Sequence, residues 1–129
     1  GSIYGLVAID GDIGGQHFDQ HPFSCVWMLQ KPLYNSGEFR YVRYSPIKRE
    51  SQNETSFEWN FDLMQQINQG NEEAIRNHRK AISVKNGDIY CFEGNVTMHE
   101  TTKISGNVDR ILFVTAYHEL KGFKHSGVV

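Results

Sequence analysis

The apolar residues of this chain come in short runs closed by turn signals, a pattern that rules out long helices and favours a stack of strands. Ile3 to Ile9, Phe23 to Leu29, Glu38 to Tyr44, Lys80 to Val84, Ile89 to Phe92, Val96 to Ile104 and Arg110 to Tyr117 each read as a strand. Asn35-Ser36-Gly37, Asn86-Gly87 and Gly106-Asn107 mark turns, the last two between neighbouring strands. Phe23 to Leu29 is almost continuously apolar, as expected of a strand buried on both faces. This set of strands points to an all-β sandwich, barrel or jelly roll.

One stretch departs from the pattern. From Ser45 to His78 the sequence is mostly polar, and Trp59, Leu63 and Ile67 recur at helical spacing. Thr55-Ser56-Phe57-Glu58 has the form of a capping box, and Gly70 suits a helix stop. The expectation is one amphipathic helix inserted between strands, its apolar stripe packed on the core.

Bulk properties narrow the function classes. The 129 residues fit one domain with a modest core. A formal charge of −2 favours neither a nucleic acid nor a membrane surface. No apolar run is long enough to cross a bilayer, and Gly1-Ser2 reads as a cloning scar rather than a targeting segment. Cytoplasm is the default compartment. Cys25 and Cys91 lie in apolar runs and are expected to be buried free thiols; a disulfide has no support in the sequence. The glycosylation sequons at Asn53 and Asn95 are short enough to arise by chance and carry little weight.

The chemistry is concentrated in four residues. His17 and Asp19 are two apart, so on a strand they share a side while Phe18 turns away. His99 lies far along the chain, within reach only in a closed or two-sheet fold. Two neutral imidazoles and a carboxylate can hold one face of a divalent iron ion and leave the other face open. Arg110 follows, and a guanidinium fork suits a second carboxylate. If Gly106-Asn107 is a two-residue hairpin turn, Lys103 lies opposite Arg110, and Arg110 faces the same interior as His99. The two are then four residues apart along the sheet, roughly 13 Å. A five-carbon diacid on the metal and an extended arginine would fill that gap.

With these residues in place the chain resembles the iron(II)- and 2-oxoglutarate-dependent dioxygenases, whose fold is a double-stranded β-helix. The segments Gly15-Gln16-His17-Phe18-Asp19, Met28-Leu29-Gln30-Lys31-Pro32, Gly37-Glu38-Phe39-Arg40-Tyr41-Val42, Asn86 to Gly94 and Met98-His99 follow, in order, one branch of small amino-acid hydroxylases and related radical halogenases. The resemblance spans about Asp12 to Tyr117. It implies that His17, Asp19 and His99 ligate Fe(II) and that Arg110 pairs with the distal carboxylate of 2-oxoglutarate. It implies hydroxylation of a small, amino-acid-like metabolite, with O2 consumed, succinate and CO2 released, and ascorbate as reductant. Halogenases of this branch carry glycine at the position of Asp19, so the retained carboxylate points to hydroxylation. In many relatives a small hydroxyl residue two positions after the arginine shares the keto acid carboxylate; here that position is Leu112. Thr101, Thr102 or Thr115 could supply the hydroxyl, and Trp27 could touch 2-oxoglutarate, although a core role suits it better.

The remaining candidates are weaker. His21 could lie near the metal mouth but is not needed as a ligand; His78, His118 and His125 read as solvated, and Lys121 to Val129 as a tail. Gln30 and Glu38-Phe39-Arg40-Tyr41 are expected at the pocket. The domain expectation is a single double-stranded β-helix over residues 1–129, the C-terminal catalytic core of a longer protein. Family members usually carry about a hundred residues before the first strand, so a missing N-terminal segment or an oligomeric partner would cover an open face. The expected partner is a small-molecule substrate. Two other functions stay open: a non-catalytic metal-binding or regulatory domain that keeps the fold, and a cupin-like dioxygenase without a keto acid, against which Arg110 argues.

Overall fold

The computed structural model describes residues 2–32, 34–42, 46–51 and 54–118. Among the described residues ten strands and two helices follow in chain order: β1 Ser2–Ala8, β2 Gly14–His17, β3 Phe23–Gln30, β4 Phe39–Val42, β5 Pro46–Ser51, β6 Glu54–Trp59, α1 Phe61–Asn68, α2 Glu72–His78, β7 Arg79–Ala81, β8 Ile89–Phe92, β9 His99–Thr101 and β10 Arg110–Tyr117. One sheet has the order β1-β10-β3-β8 and a second the order β2-β9-β4-β7; β5 and β6 form a separate hairpin. The pairings are antiparallel. Along the chain the strands of the two main sheets alternate between them, except where β4 and β7 flank the insertion. This is the double-stranded β-helix.

The expected strands at 89–92 and 110–117 match β8 and β10 residue for residue. Part of the expected strand 38–44 lies outside the described residues, as do Asn53, His125 and the tail 121–129. The expectation for β3 fails on one side. Val26 and Met28 are buried, whereas Phe23, Trp27 and Leu29 are exposed. Register places Trp27 beside Phe113 and Ile89, on the sheet face that looks away from the second sheet. That outer face also carries Ile3 and Val7, both exposed. A continuous apolar run shows that both sides are apolar, not that both are covered.

The insertion also differs from its expected form. Thr55 to Glu58 lies within β6, so the capping-box residues belong to a strand. The helix starts later, at Asn60, whose side chain accepts the Leu63 N–H at 3.2 Å. It stops at Gly70, where φ is 78° and a side chain would be strained. A second helix follows, capped by Asn71. Leu63, Met64, Ile67 and Ala74 pack with Val42 of β4 and with Met98, while Phe18 and Ile75 lie against the cluster. A separate cluster joins Val26 and Met28 of β3, Leu112 of β10 and Val84. Burying such side chains stabilises the fold by about 1.5–3 kcal/mol each.

The cysteines are not free. Cys25 of β3 and Cys91 of β8 are directly opposite in register, and their sulfurs form a disulfide. Two apolar runs in a sequence do not reveal that they will pair at this register, so the bond was illegible before the sheet was known.

Candidate metal centre

His17 ends β2 and His99 begins β9, and the two are direct partners in the antiparallel ladder. Their ring centroids are 4.3 Å apart. Asp19 lies just beyond β2, so ladder hydrogen bonds do not hold it. Its backbone N–H donates instead to the Gly94 carbonyl at 2.9 Å. Gly94 is required here: a Cβ at that position would overlap the Asp19 carboxylate. Phe18 turns away, as the strand alternation predicts, and packs toward α1 and α2.

The three side chains converge. Asp19 Oδ1 is 3.2 Å from His17 Nε2 and 3.1 Å from His99 Nε2. Ligand atoms of all three lie within 4.8 Å of one another and could hold a metal ion. The far nitrogens are fixed by the backbone: His17 Nδ1 lies 2.7 Å from the Gly15 carbonyl and His99 Nδ1 2.7 Å from the Thr97 carbonyl. A carbonyl only accepts, so each Nδ1 donates its hydrogen there, and each Nε2 is left directed at the Asp19 carboxylate. Metal-binding histidines are oriented in this way.

Asp19 is tuned to be anionic. Partial burial pushes its carboxyl up, but the hydrogen bond and charge of His99, the charge of His17 and the Ser24 hydroxyl together hold it below the ordinary carboxylate range. Ser24 Oγ donates to Asp19 Oδ2 at 3.2 Å. Oδ1 thus faces the imidazoles while Oδ2 is held from behind. Ser24 carried no signal in the sequence, because an isolated serine in an apolar strand has no spacing to betray it.

Arg110 opens β10 and is 4% exposed. The hairpin that suggested its orientation does not exist. β9 and β10 belong to different sheets, and Arg110 lies opposite Ala8, not Lys103. The inward direction survives for another reason: Arg110 and His99 come from the facing sheets and line one cavity of about 120 Å³ together with His17, Asp19 and Thr101. Likewise Asn86-Gly87 and Gly106-Asn107 precede strands that cross to the other sheet, rather than closing hairpins between paired neighbours.

The guanidinium is poorly satisfied. Arg110 donates to the Tyr90 hydroxyl at 3.2 Å, and its Nε has no hydrogen-bond partner among the described residues. Burial lowers its pKa, against the opposing pull of Tyr90 and Glu38. Burial likewise raises the Tyr90 phenol to about 12, so its oxygen stays protonated. Of the three threonines, Thr101 lines the cavity beside Arg110. The Thr102 hydroxyl accepts the Glu38 N–H at 2.9 Å, and Thr115 donates to the Cys25 carbonyl at 3.5 Å.

Other expected residues are elsewhere. Trp27 is 48% exposed on the outer sheet face, which removes both its core role and its contact with a keto acid. Gln30 donates to the Asp109 carbonyl at 2.9 Å, Glu38 pairs with Lys31 at 2.8 Å, and Arg40 pairs with Glu100 at 2.7 Å. Phe39 does line the cavity and stacks on His99, with centroids 5.5 Å apart. Tyr41 lines a second cavity of about 370 Å³, shared with Phe39, Tyr90 and Phe92. His21 and His118 pack against each other with centroids 4.2 Å apart and ring planes tilted by 49°. His118 is exposed as expected, whereas His78 is half-buried in the last turn of α2.

The halogenase D family model matches residues 6–126. The chain belongs to the halogenase D family. Among solved structures it is similar to the PvcB protein from Pseudomonas aeruginosa, with a TM-score of 0.52 at 11% identity, covering 92% of this chain and 64% of that one. The likeness in fold is therefore to about two thirds of a longer chain. No curated protein matches the sequence. Among the described residues no helix is long and apolar enough to cross a membrane.

Proposed function

We propose that this halogenase D family member is an iron(II)- and 2-oxoglutarate-dependent oxygenase that hydroxylates a small, amino-acid-like metabolite. The observation that carries the reading is the buried Arg110 guanidinium with an orphaned Nε, in the same cavity as three convergent metal-ligand atoms. A buried cation with unused donors calls for an anion, and a metal-bound keto acid with a distal carboxylate supplies one.

In this reading His17, Asp19 and His99 hold the iron, and their donor set of two imidazoles and a carboxylate suits that ion. Arg110 binds the distal carboxylate, with the Thr101 hydroxyl beside it as the missing second donor. When bound, iron and keto acid would supply oxygen activation, with one atom of O2 passing to the substrate as hydroxyl, the other to succinate, and CO2 released. Ascorbate serves as reductant. The chain's own part is to orient and to exclude water. Phe39, Phe92 and Leu112 give the cavity apolar walls, and Tyr90 holds the guanidinium in place.

Asp19 supports hydroxylation over halogenation. Its carboxylate fills the position that would otherwise open for a halide, and Ser24 and the Gly94 backbone fix it there. The resemblance to amino-acid hydroxylases supports the substrate class. The test is succinate release with Fe(II), ascorbate and 2-oxoglutarate. Turnover that depends on the keto acid is expected. Metal binding without turnover would favour the non-catalytic reading, and oxygen consumption independent of the keto acid would favour the cupin-like one.

A further inference from the structure

Leu63 and Ile67 of the helical stripe sit in the core, but Trp59, its third member, is the last residue of β6 and remains 46% exposed. Its indole nevertheless has three defined contacts, one of them edge-on to Phe61 of α1 with centroids 5.8 Å apart. The ring stacks on Phe18 with centroids 4.8 Å apart and planes 9° from parallel. Its Nε1–H donates to the Asn95 carbonyl at 3.4 Å. The latter two partners flank the carboxylate of the metal centre. Phe18 lies between His17 and Asp19, and Asn95 follows Gly94, the residue that receives the Asp19 N–H.

Asp19 is the member of the triad that no strand carries. Its place against the two imidazoles depends on the loop after β2 and the loop after β8, and Trp59 bridges both. We propose that Trp59 is a positioning residue, by which the inserted β5–β6 hairpin latches these two loops and sets the affinity of the centre for its metal. This rests on the reading of His17, Asp19 and His99 as ligands. Loss of a residue that orients a ligand typically weakens metal binding by ten- to a hundred-fold.

The test is titration of the full chain with Co(II), followed by its visible absorption, with thermal unfolding of the metal-free protein as a control. Trp59→Ala should weaken Co(II) binding about ten-fold and change the band shape. Trp59→Phe keeps the ring stack and should restore most of the affinity, with a residual loss of about three-fold for the missing hydrogen bond. In a Trp27→Phe background Trp59 is the sole tryptophan, and its emission should change on Co(II) binding. Wild-type affinity in both Trp59 variants would overturn the latch. So would a loss in Trp59→Ala that phenylalanine does not rescue and that follows a lowered unfolding temperature. If Trp59→Ala fails to fold, Trp59→Phe and Phe18→Leu carry the same comparison. Absence of Co(II) binding by the unaltered chain would overturn the ligand reading itself, a result distinct from failure of the latch.

Discussion

Asp19 is where three separate devices meet: two imidazoles in front, the Ser24 hydroxyl behind and the Gly94 backbone alongside. Asp19→Ala removes the single anion from the donor set and should weaken metal binding at least ten-fold, measurable by Co(II) titration. Arg110→Ala should leave that affinity near wild type and raise the KM for 2-oxoglutarate about ten- to a hundred-fold, since each charge-assisted hydrogen bond contributes about 1.5–3 kcal/mol. Metal binding requires neutral imidazoles, so affinity should fall as pH drops, in a titration repeated across pH. Asp19 acts on folding with its own sign. Its lowered folded pKa gives stability that is present above its unfolded value of about 3.9 and lost as pH falls through the folded one. The acid unfolding curve of metal-free Asp19→Asn should therefore be flatter than wild type below about pH 4. At this scale the sequence was legible where chemistry imposes residue type. Histidine and aspartate two residues apart, a second histidine far along the chain and an arginine after it announced a site by their order and spacing. Ser24 was not announced, and Tyr90 and Gly94 lay in the matched segment Asn86 to Gly94 without a role, because each is ordinary in a strand or turn until its neighbour is known.

At the scale of elements, the insertion and the disulfide show what periodicity misses. Trp59, Leu63 and Ile67 have helical spacing, yet the chain changes from strand to helix between the first and second of them. The decisive signal was Asn60, a side-chain cap with a free oxygen for the Leu63 N–H, rather than the serine and threonine upstream. Ile67 is almost fully buried between the helices and β4, and Ile67→Ala should cost about 2–5 kcal/mol in urea unfolding. The Cys25–Cys91 bond joins β3 and β8, the strands that carry Ser24 behind Asp19 and Tyr90 beside Arg110. Removing it by Cys25→Ser with Cys91→Ser should lower stability by about 2–4 kcal/mol, read from the shift of the same curve.

At the scale of the whole molecule, strand positions could be read and strand partners could not. β8 and β10 fall on their expected residues, but successive strands cross between sheets instead of folding back on themselves. Turn residues signal a reversal of direction and are silent on which sheet receives the next strand. The hairpin argument for Arg110 failed for that reason, while its conclusion held because strands from both sheets point their inner residues at one cavity. The outer face, with Ile3, Val7, Trp27, Ile89 and Phe113 exposed, likewise lay beyond the pattern of apolar residues alone. The account stands on that shared cavity binding a metal and a keto acid together. The most direct measurement is an anaerobic titration of the Fe(II)-loaded chain with 2-oxoglutarate, followed by visible absorption. The account predicts a saturable band that disappears in Asp19→Ala and needs at least ten-fold more keto acid in Arg110→Ala. A chain that binds neither ligand, or variants that titrate like wild type, would contradict it.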